Sequence, residues 1–221
     1  MLRIEKNKEP QEFINWKEKF KHIKGREPNY ADLSLPENAD IKLCVKQSLM
    51  KEQHNLCCYC CAQLVEGRSH IEHFRPRDKY PQLSLDYNNL HVSCNGKDGD
   101  SCGHKKENWF EEGVTLSPLL PDIEENFTYL QNGAIEAKDN DKDVMTNISK
   151  LSLQEQRLKI ARKAALDASL IMTAESAEEL EILLDDLNDM YPEEDGSLLC
   201  PFYNIVKYFA KQMEQILNTS I

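Results

Sequence analysis

The residues of this sequence best suited to chemistry are its cysteines, six of which lie between positions 57 and 102. Four stand in the run Cys57-Cys58-Tyr59-Cys60-Cys61, which contains two overlapping Cys-x-x-Cys pairs, and Cys94 and Cys102 follow. Two pairs of thiolates brought together form the closed tetrahedral site that structural zinc prefers. The first residues do not resemble a secretory signal, so we expect metal ligation rather than disulfides. Spacing alone leaves the register of the first pair open, at 57/60 or 58/61.

A second group of polar residues lies between the cysteine pairs and just beyond them. Alternation places His70 and Glu72 on one side of a short strand, with His73 near its end, and Asn89 and His104 follow. A neutral histidine is a natural general base near pH 7, and carboxylate and imidazole groups bind divalent cations. These residue types favour metal-assisted hydrolysis. The isolated histidines are expected to be structural, namely His22, His54 and His91.

The order of these residues resembles the HNH endonuclease family. Members of that family contain a ββα-metal element, and in a zinc-bearing branch cysteine pairs brace it from either side. The resemblance implies that His73 acts as general base and that the Asn89 side-chain carbonyl orients its imidazole. It also implies that His70 supports the strand or contributes at the edge of the site.

The same resemblance implies a catalytic cation, Mg²⁺ or Mn²⁺, bound by Glu72 and His104. Two departures from the usual pattern affect this site. The acidic residue is glutamate rather than the commoner aspartate, and the loop between Cys94 and Cys102 is stretched. That loop also contains Asn95, which is expected to join or replace His104 as the last ligand.

Longer stretches are similar to the HNH nucleases of retron and Septu antiphage systems, the PtuB type. The stretches that carry the similarity are residues 56–60, 70–76, 85–90, 93–96 and 102–106. In that family 57/60 is the favoured register, which implies zinc ligation by Cys57, Cys60, Cys94 and Cys102. The resemblance also implies an effector nuclease that works beside an ABC/SMC-like ATPase of the PtuA type. In the retron versions, a reverse transcriptase and its RNA–DNA product are further partners.

Charge is distributed unevenly along the 221 residues, whose formal net charge is −11. Residues 42–110 carry 10 basic and 8 acidic side chains, whereas residues 111–221 carry 9 basic and 22 acidic ones. We interpret the acidic half as solvated helix faces or as a docking surface for a protein partner. Some cations of the central region are candidates for contacting nucleic-acid phosphates, although ordinary surface charge is the preferred interpretation of any single one. These candidates are Arg75, Arg77, Lys105 and Lys106.

Apolar periodicity and turn signals predict the elements that must position these residues. Helices are predicted over 11–23 and 40–53, a helix from Cys102 past Trp109, and a β-hairpin around Asn132-Gly133. Three C-terminal helices are predicted from further start and stop signals. Those signals are Ser152 with Glu155, Ser176 with Glu179, Tyr191-Pro192 and Pro201.

The fold expected from these patterns is mainly α with a small α+β part. A zinc-braced ββα-metal (HNH) core should occupy residues 55–115, between a helical N-terminal segment, 1–54, and a C-terminal region, 116–221, with the hairpin and the acidic helices. No apolar run approaches the roughly 20 residues of a membrane span, so we expect a cytoplasmic protein without a membrane partner.

The leading hypothesis is an endonuclease that hydrolyses phosphodiester bonds, with DNA as the expected substrate and RNA left open. One alternative is a non-catalytic zinc-binding adaptor in a nucleic-acid complex, which would need the cysteines but not Glu72, His73, Asn89 and His104 together. Another is an HNH nuclease with a restriction or mobile-element role, which gene neighbours would distinguish.

Overall fold

The computed structural model describes residues 1–190 and 199–219, and the expected mainly α fold with a small β part is confirmed. No helix within those residues is both long enough and apolar enough to cross a bilayer. The elements, in chain order, are α1 (Gln11–Lys24), α2 (Tyr30–Leu33), α3 (Ala39–Glu52), β1 (Ser69–His73), β2 (Leu90–Cys94), α4 (Cys102–Lys106), β3 (Phe127–Tyr129), β4 (Ile135–Ala137), α5 (Lys142–Lys150), α6 (Gln156–Ser169), α7 (Ala177–Asp189) and α8 (Tyr203–Thr219).

The two predicted N-terminal helices are present, each end within one residue of the prediction. α1 buries Phe13 and ends at Gly25, whose φ is 66°. The Gly25 amide donates a hydrogen bond to the Lys21 carbonyl, which closes the last turn. α3 buries Val45 and Leu49 on the face that meets its neighbours. Because α3 packs on both α1 and β2, these helices support the central sheet.

The central region is a two-stranded antiparallel sheet followed by a short helix. β1 and β2 pair in a register that sets Glu72 opposite His91, and α4 packs against β2 from Cys102 onwards. The expected continuation of this helix past Trp109 is wrong. The backbone at Glu107 turns to φ 49° and ψ −125°, which lies outside the helical region and ends α4 at the preceding residue.

The predicted hairpin joins β3 to β4 through Asn132-Gly133. Gly133 has a φ of 83°, and a Cβ at this position would lie 2.0 Å from the Lys159 carbonyl oxygen of α6. The guanidinium of Arg162, a buried residue of α6, donates to the Gly133 carbonyl at 2.5 Å. Glycine is therefore required here both by the turn and by the close approach of α6.

One of the three C-terminal helix starts is confirmed. The Ser176 hydroxyl accepts a hydrogen bond from the Glu179 amide at 3.1 Å and caps α7. The predicted stop at Tyr191-Pro192 lies outside the described residues.

The other two helix starts are wrong by a few residues. Ser152 has a φ of 48°, so it cannot cap a helix, and α6 begins only after Glu155. Pro201 precedes α8 rather than lying in its first turn, because Phe202 also adopts a left-handed φ, 59°.

The C-terminal half is tied to the central region by specific contacts. Arg157 of α6 holds Asp100 through two hydrogen bonds, 2.8 Å from Nε to Oδ2 and 2.6 Å from Nη2 to Oδ1. These bonds lower the pKa of Asp100 to about 2. The Cys102 amide donates to the Leu151 carbonyl at 2.9 Å. One cluster of buried side chains accordingly has members in 1–54, 55–115 and 116–221 alike.

Candidate metal and catalytic site

Four thiols converge at one end of the β1–β2 sheet although their residues are distant in sequence. The sulfur atoms of this cysteine cluster all lie within 4.8 Å of one another. Within the described part of the chain, no other three His, Cys, Asp or Glu side chains gather so closely. The structure thus brings together the four residues expected as zinc ligands, which are Cys57, Cys60, Cys94 and Cys102.

The spacing of these thiols fits a tetrahedral zinc ion. The sulfurs of Cys60 and Cys94 are 3.7 Å apart, and a tetrahedron with Zn–S bonds of about 2.3 Å has edges of about 3.8 Å. A disulfide would need about 2.05 Å. Backbone amides of Cys94 and Ala62 donate to the Cys57 and Cys60 sulfurs at 3.3 and 3.4 Å. Since such donors favour thiolates, the cluster is suited to hold a structural metal.

The other two cysteines of the run belong to the backbone framework. The Cys58 amide donates to the Val92 carbonyl at 3.1 Å, and the Cys61 carbonyl accepts from the Phe202 amide at 2.7 Å. Burial raises the pKa of both thiols, to about 11 for Cys61. In this structure the 57/60 pair, and not the 58/61 pair, faces Cys94 and Cys102.

A second group of polar side chains, the histidine–glutamate cluster (His70, Glu72, Asn95 and His104), lies where β1 faces α4. His70 Nε2 is 3.3 Å from Glu72 Oε2, and His70 Nδ1 is 2.8 Å from Asn95 Oδ1. His104 Nε2 lies 3.3 Å from the same Asn95 oxygen, and the two imidazole rings meet edge to face at 4.5 Å. Because His104 is exposed, this group of nitrogen and oxygen atoms is accessible from solvent.

Glycine at position 103 allows α4 to approach this cluster. A Cβ there would lie 2.5 Å from Glu72 Oε2 and 2.6 Å from His70 Nε2. The Gly103 amide donates to the buried Ser93 hydroxyl at 2.9 Å, which fixes the start of α4 on β2. Sequence reasoning missed both Gly103 and Ser93, and the only signal was a glycine directly before His104.

Three polar side chains contact the carboxylate of Glu72, and His70 is one of them. The Tyr59 hydroxyl donates to Oε1 at 3.1 Å, and Lys106 Nζ lies 2.8 Å from the same oxygen. Burial alone raises the pKa of Glu72, but the His70 hydrogen bond and the Lys106 cation outweigh it and lower the pKa below its usual value. The carboxylate is therefore ionised although the residue is buried.

The four cations expected to contact phosphates, here called the basic rim, are Arg75, Arg77, Lys105 and Lys106. Lys106 does not lie at the surface with the others. The residue is only 2% exposed, and its ammonium binds Glu72 and the His73 carbonyl oxygen, the latter at 3.0 Å. A buried cation requires a partner charge, and Glu72 supplies it. Lys106 is thus part of the site's interior, where it balances the carboxylate.

His73 follows Glu72 directly and is held by a different contact from the one expected. Its Nε2 lies 3.0 Å from the Ser84 carbonyl oxygen, and a carbonyl can only accept, so Nε2 carries the proton and Nδ1 the lone pair. Its ring packs edge-on against Tyr30 at 4.5 Å between centroids. Burial is the main cause that lowers the pKa of His73, so the ring is neutral at pH 7.

Asn89 does not orient the His73 imidazole as expected, because its side chain is engaged elsewhere. Its Oδ1 accepts from the Arg75 amide at 2.8 Å, and its Nδ2 donates to the carbonyls of Arg75 and Leu83 at 3.0 and 3.1 Å. The buried Asn89 thus joins the end of β1 to the loop before β2. Ser84, which sequence reasoning missed, makes the contact expected of Asn89, and no side-chain pattern could reveal a backbone carbonyl.

The remaining members of the predicted basic rim are accessible. Lys105 and Arg77 are exposed, and the Arg77 guanidinium lies 4.9 Å from the centre of the Tyr30 ring. Arg75 pairs with Glu112 at 3.0 Å and lies over the rings of Tyr80 and Phe110 at 5.6 and 5.3 Å. The rim therefore consists of cations stacked on aromatic rings as well as a freely solvated lysine.

His91 is buried as expected of a structural histidine, but its surroundings are unusual. The residue is 0% exposed, and neither ring nitrogen has a hydrogen-bond partner among the described residues. Burial, reinforced by the Lys6 and Lys106 cations, lowers its pKa well below the ordinary value. His91 is therefore neutral, directly opposite Glu72 in the sheet.

Comparison with known proteins supports the resemblance expected from the motifs. No family model matches the chain. Over 177 residues the chain is 26% identical to a protein of Vibrio cholerae serotype O1 biovar El Tor, named as a candidate HNH endonuclease of retron Vc95. That alignment covers 76% of this chain and 83% of the Vibrio protein.

A shorter stretch is similar to a Septu protein. Over 60 residues the chain is 40% identical to PtuB of Bacillus thuringiensis, which corresponds to 25% of this chain and 23% of PtuB. Together these two similarities confirm the predicted resemblance to HNH nucleases of the retron and Septu antiphage type.

Proposed function

We propose that this chain is a metal-dependent HNH endonuclease that hydrolyses phosphodiester bonds in nucleic acid. The observation that carries the proposal is that Lys106 contacts both the Glu72 carboxylate and the His73 carbonyl, with His73 neutral, Glu72 ionised and His104 exposed. Similarity to a protein named as an HNH endonuclease supports it. In this proposal β1, β2 and α4 form the ββα-metal element.

His73 is the proposed general base. The Ser84 carbonyl holds the Nε2 proton, which leaves the Nδ1 lone pair to take a proton from the attacking water. Packing against Tyr30 fixes the ring plane. Asn89 acts as a positioning residue, since it holds the backbone of Arg75 just after His73.

Glu72, His104 and Asn95 are the proposed ligands of a catalytic Mg²⁺ or Mn²⁺, and His70 supports them from the edge. When bound, such a cation supplies positive charge that stabilises the phosphate and the leaving oxygen. The carboxylate and amide oxygens suit Mg²⁺ and Mn²⁺, and the imidazole nitrogen of His104 also suits other divalent transition metals. His70 contacts both Glu72 and Asn95, so it keeps these two oxygens close together.

The cysteine cluster is the proposed site of a structural zinc ion. Zinc there would join the loop after α3 to β2 and to the start of α4, and would thereby position both β2 and His104. Arg75, Arg77 and Lys105 are the proposed contacts to substrate phosphates.

The proposed biological role is that of an effector in a bacterial antiphage defence system, with an ABC/SMC-like ATPase of the PtuA type as partner. Similarity to a retron protein and to Septu PtuB supports this role. The acidic C-terminal region is the proposed docking surface, and DNA is the proposed substrate. A reverse transcriptase with its RNA–DNA product would be a further partner in a retron context.

Substitution of His73 tests the catalytic proposal. Purified wild-type protein and His73→Ala are incubated with labelled DNA or RNA in Mg²⁺ or Mn²⁺, and zinc content and melting temperature are measured alongside. We expect the variant to lose at least about 100-fold in cleavage rate, with zinc content unchanged. His22→Ala, at an exposed position on α1, is the matched control and should cleave normally. Cleavage by His73→Ala at the wild-type rate would disprove the assignment.

The adaptor alternative predicts a different result in the same experiment. A non-catalytic adaptor would bind nucleic acid and zinc but would cut no substrate in either metal, in the wild-type form as well. Co-purification from the native host then tests the partner proposal, since an ATPase should accompany the chain.

A further inference from the structure

Two arginine–aromatic contacts flank the proposed general base. On one side, Arg77 lies over Tyr30, which packs against the His73 ring. The second contact belongs to a group of three aromatic rings and an arginine, whose first member is the residue after His73 in the chain. We call this group the aromatic ledge, and it consists of Phe74, Tyr80, Phe110 and Arg75.

The rings of the aromatic ledge are packed on one another but are not buried. Phe110 meets Phe74 edge to face at 5.5 Å and Tyr80 at 5.4 Å, and Arg75 lies within 5.6 Å of the Tyr80 and Phe110 ring centres. All three rings are partly exposed. Core aromatics of this chain such as Phe13 and Phe127 are, by contrast, at most 2% exposed. The ledge therefore offers ring surface to solvent.

The backbone holds the ledge in place. The Phe74 amide donates to the Asn89 carbonyl at 2.9 Å, and the Asn89 side chain binds both the amide and the carbonyl of Arg75. The Tyr80 amide donates to the Pro76 carbonyl at 2.9 Å. A stacking surface held in this way loses little conformational entropy when it binds a planar ligand.

The chemistry of the ledge matches unpaired nucleic-acid bases. Proteins that bind single strands combine aromatic rings, on which bases stack, with arginine and other cations that follow the backbone. The exposed cations Arg77, Lys79 and Lys105 lie close to the ledge or to His73 in the chain. The bases of a duplex are stacked on one another, so a duplex could not use these rings without unpairing.

We propose that the aromatic ledge binds unpaired bases, so that the substrate is single-stranded DNA or RNA, or an unpaired region of either. This inference rests on the proposed function, because only that function makes the bound strand a substrate that is cut beside the ledge. The ledge itself is a binding surface, so its occupancy is measurable without cleavage.

The test measures binding in the His73→Ala background, where no substrate is consumed. Fluorescence anisotropy compares a labelled 20-nucleotide single-stranded DNA, the RNA of the same sequence and the blunt DNA duplex. Tyr80→Leu and Phe110→Leu each remove a ring, whereas Tyr80→Phe and Phe110→Tyr retain it. Phe20→Leu is the matched control, because its ring packs against Trp16 and Arg26 rather than on the ledge.

We expect the single strands to bind at least about tenfold more tightly than the duplex, and each leucine variant to weaken single-strand binding by about 5- to 100-fold. The ring-retaining variants and Phe20→Leu should bind like their parent, and the DNA and RNA arms show which sugar is preferred. Tighter duplex binding, or single-strand affinity unchanged in both leucine variants, overturns the proposal. If Tyr80→Leu or Phe110→Leu unfolds, the His73→Ala parent still shows whether single strands bind more tightly than the duplex, and a failure to do so overturns the proposal.

The two proposals fail in different ways. If the wild-type protein cuts no nucleic acid but single strands bind through the ledge, the nuclease assignment is wrong and the ledge remains. If it cuts duplex as readily as single strands and binds them equally, the ledge proposal is wrong and the nuclease remains.

Discussion

The cysteine cluster joins the loop after α3 to β2 and α4, whereas the histidine–glutamate cluster lies where β1 faces α4, and the two clusters differ in closure. The four sulfurs gather within 4.8 Å, and each of their residues is at most 9% exposed. In the other cluster Glu72 is buried, while the His70 side chain is 30% exposed and His104 is exposed. Structural metal sites are closed and catalytic ones keep an open position. The closed cysteine cluster is therefore suited to supporting the fold. The more exposed histidine–glutamate cluster is suited to exchanging ligands such as water and substrate.

The largest expected effect comes from opening the closed cluster. Cys60→Ser removes one of four converging thiols in a region of short strands and loops, where structural zinc contributes much of the folding free energy. We expect zinc content to fall from about one ion per chain to near zero, with loss of solubility. Elemental analysis and the yield of soluble protein measure both.

Cys58→Ser is the matched control for this change, because Cys58 is a neighbouring buried thiol outside the cluster. It should retain zinc and lower the free energy of unfolding by no more than about 2 kcal/mol. If Cys58→Ser lost zinc while Cys60→Ser retained it, the ligands would be shifted by one residue.

A smaller effect is expected from breaking the ion pair in the open cluster. Glu72→Ala leaves Lys106 buried without its partner charge, which should lower the free energy of unfolding by about 3–5 kcal/mol. Cleavage should be lost as well, whereas zinc content should not change. Urea titration, activity and elemental analysis separate these outcomes.

Glu72→Gln preserves the shape of the side chain and isolates the role of the charge. We expect it to be inactive as well, since an amide binds Mg²⁺ less well than a carboxylate. Full activity in this variant, with Mg²⁺ as the only cation, would contradict the role of Glu72 as a metal ligand.

The smallest expected effect is the pH dependence of kcat/KM, which distinguishes protonation of His73 from loss of metal. Burial lowers the pKa of His73 below 6.5, and only the neutral ring accepts a proton. As pH falls, kcat/KM should therefore reach half its plateau value at a pH below 6.5 and then decline by up to about tenfold per pH unit. Zinc content measured over the same range separates this limb from metal loss. A half-maximal kcat/KM at a pH above 7 would contradict a buried, neutral His73.

Local sequence patterns predicted those parts of the fold that short-range interactions decide. The apolar spacing of α1, the Ser176 cap of α7 and the Asn132-Gly133 turn depend on neighbours within a few residues. The starts of α6 and α8 were mispredicted because left-handed residues, Ser152 and Phe202, precede them. Such backbone conformations are imposed by contacts with distant parts of the chain.

Some residues of the candidate site can likewise be found from local sequence patterns, whereas others cannot. Cys57, Cys60, His70, Glu72 and His73 stand out in the sequence because their types are uncommon at that spacing. Lys106 is different, because nothing in a surface-like Lys-Lys pair shows that one lysine is buried against a carboxylate. The contact between Ser84 and His73 is also invisible to sequence patterns, since it uses a backbone carbonyl.

The groups that bind metal or form hydrogen bonds can be read from the sequence: thiols in spaced pairs, a His-x-Glu-His strand and the glycines around the last pair. How these groups are used depends on tertiary contacts. The β1–β2 register sets neutral His91 opposite Glu72, α4 buries Lys106 against the same carboxylate, and Asn89 turns to the backbone of Arg75. The physical reason is that hydrogen bonding and charge balance depend on distance and burial. Both quantities arise only when segments far apart in the chain pack together.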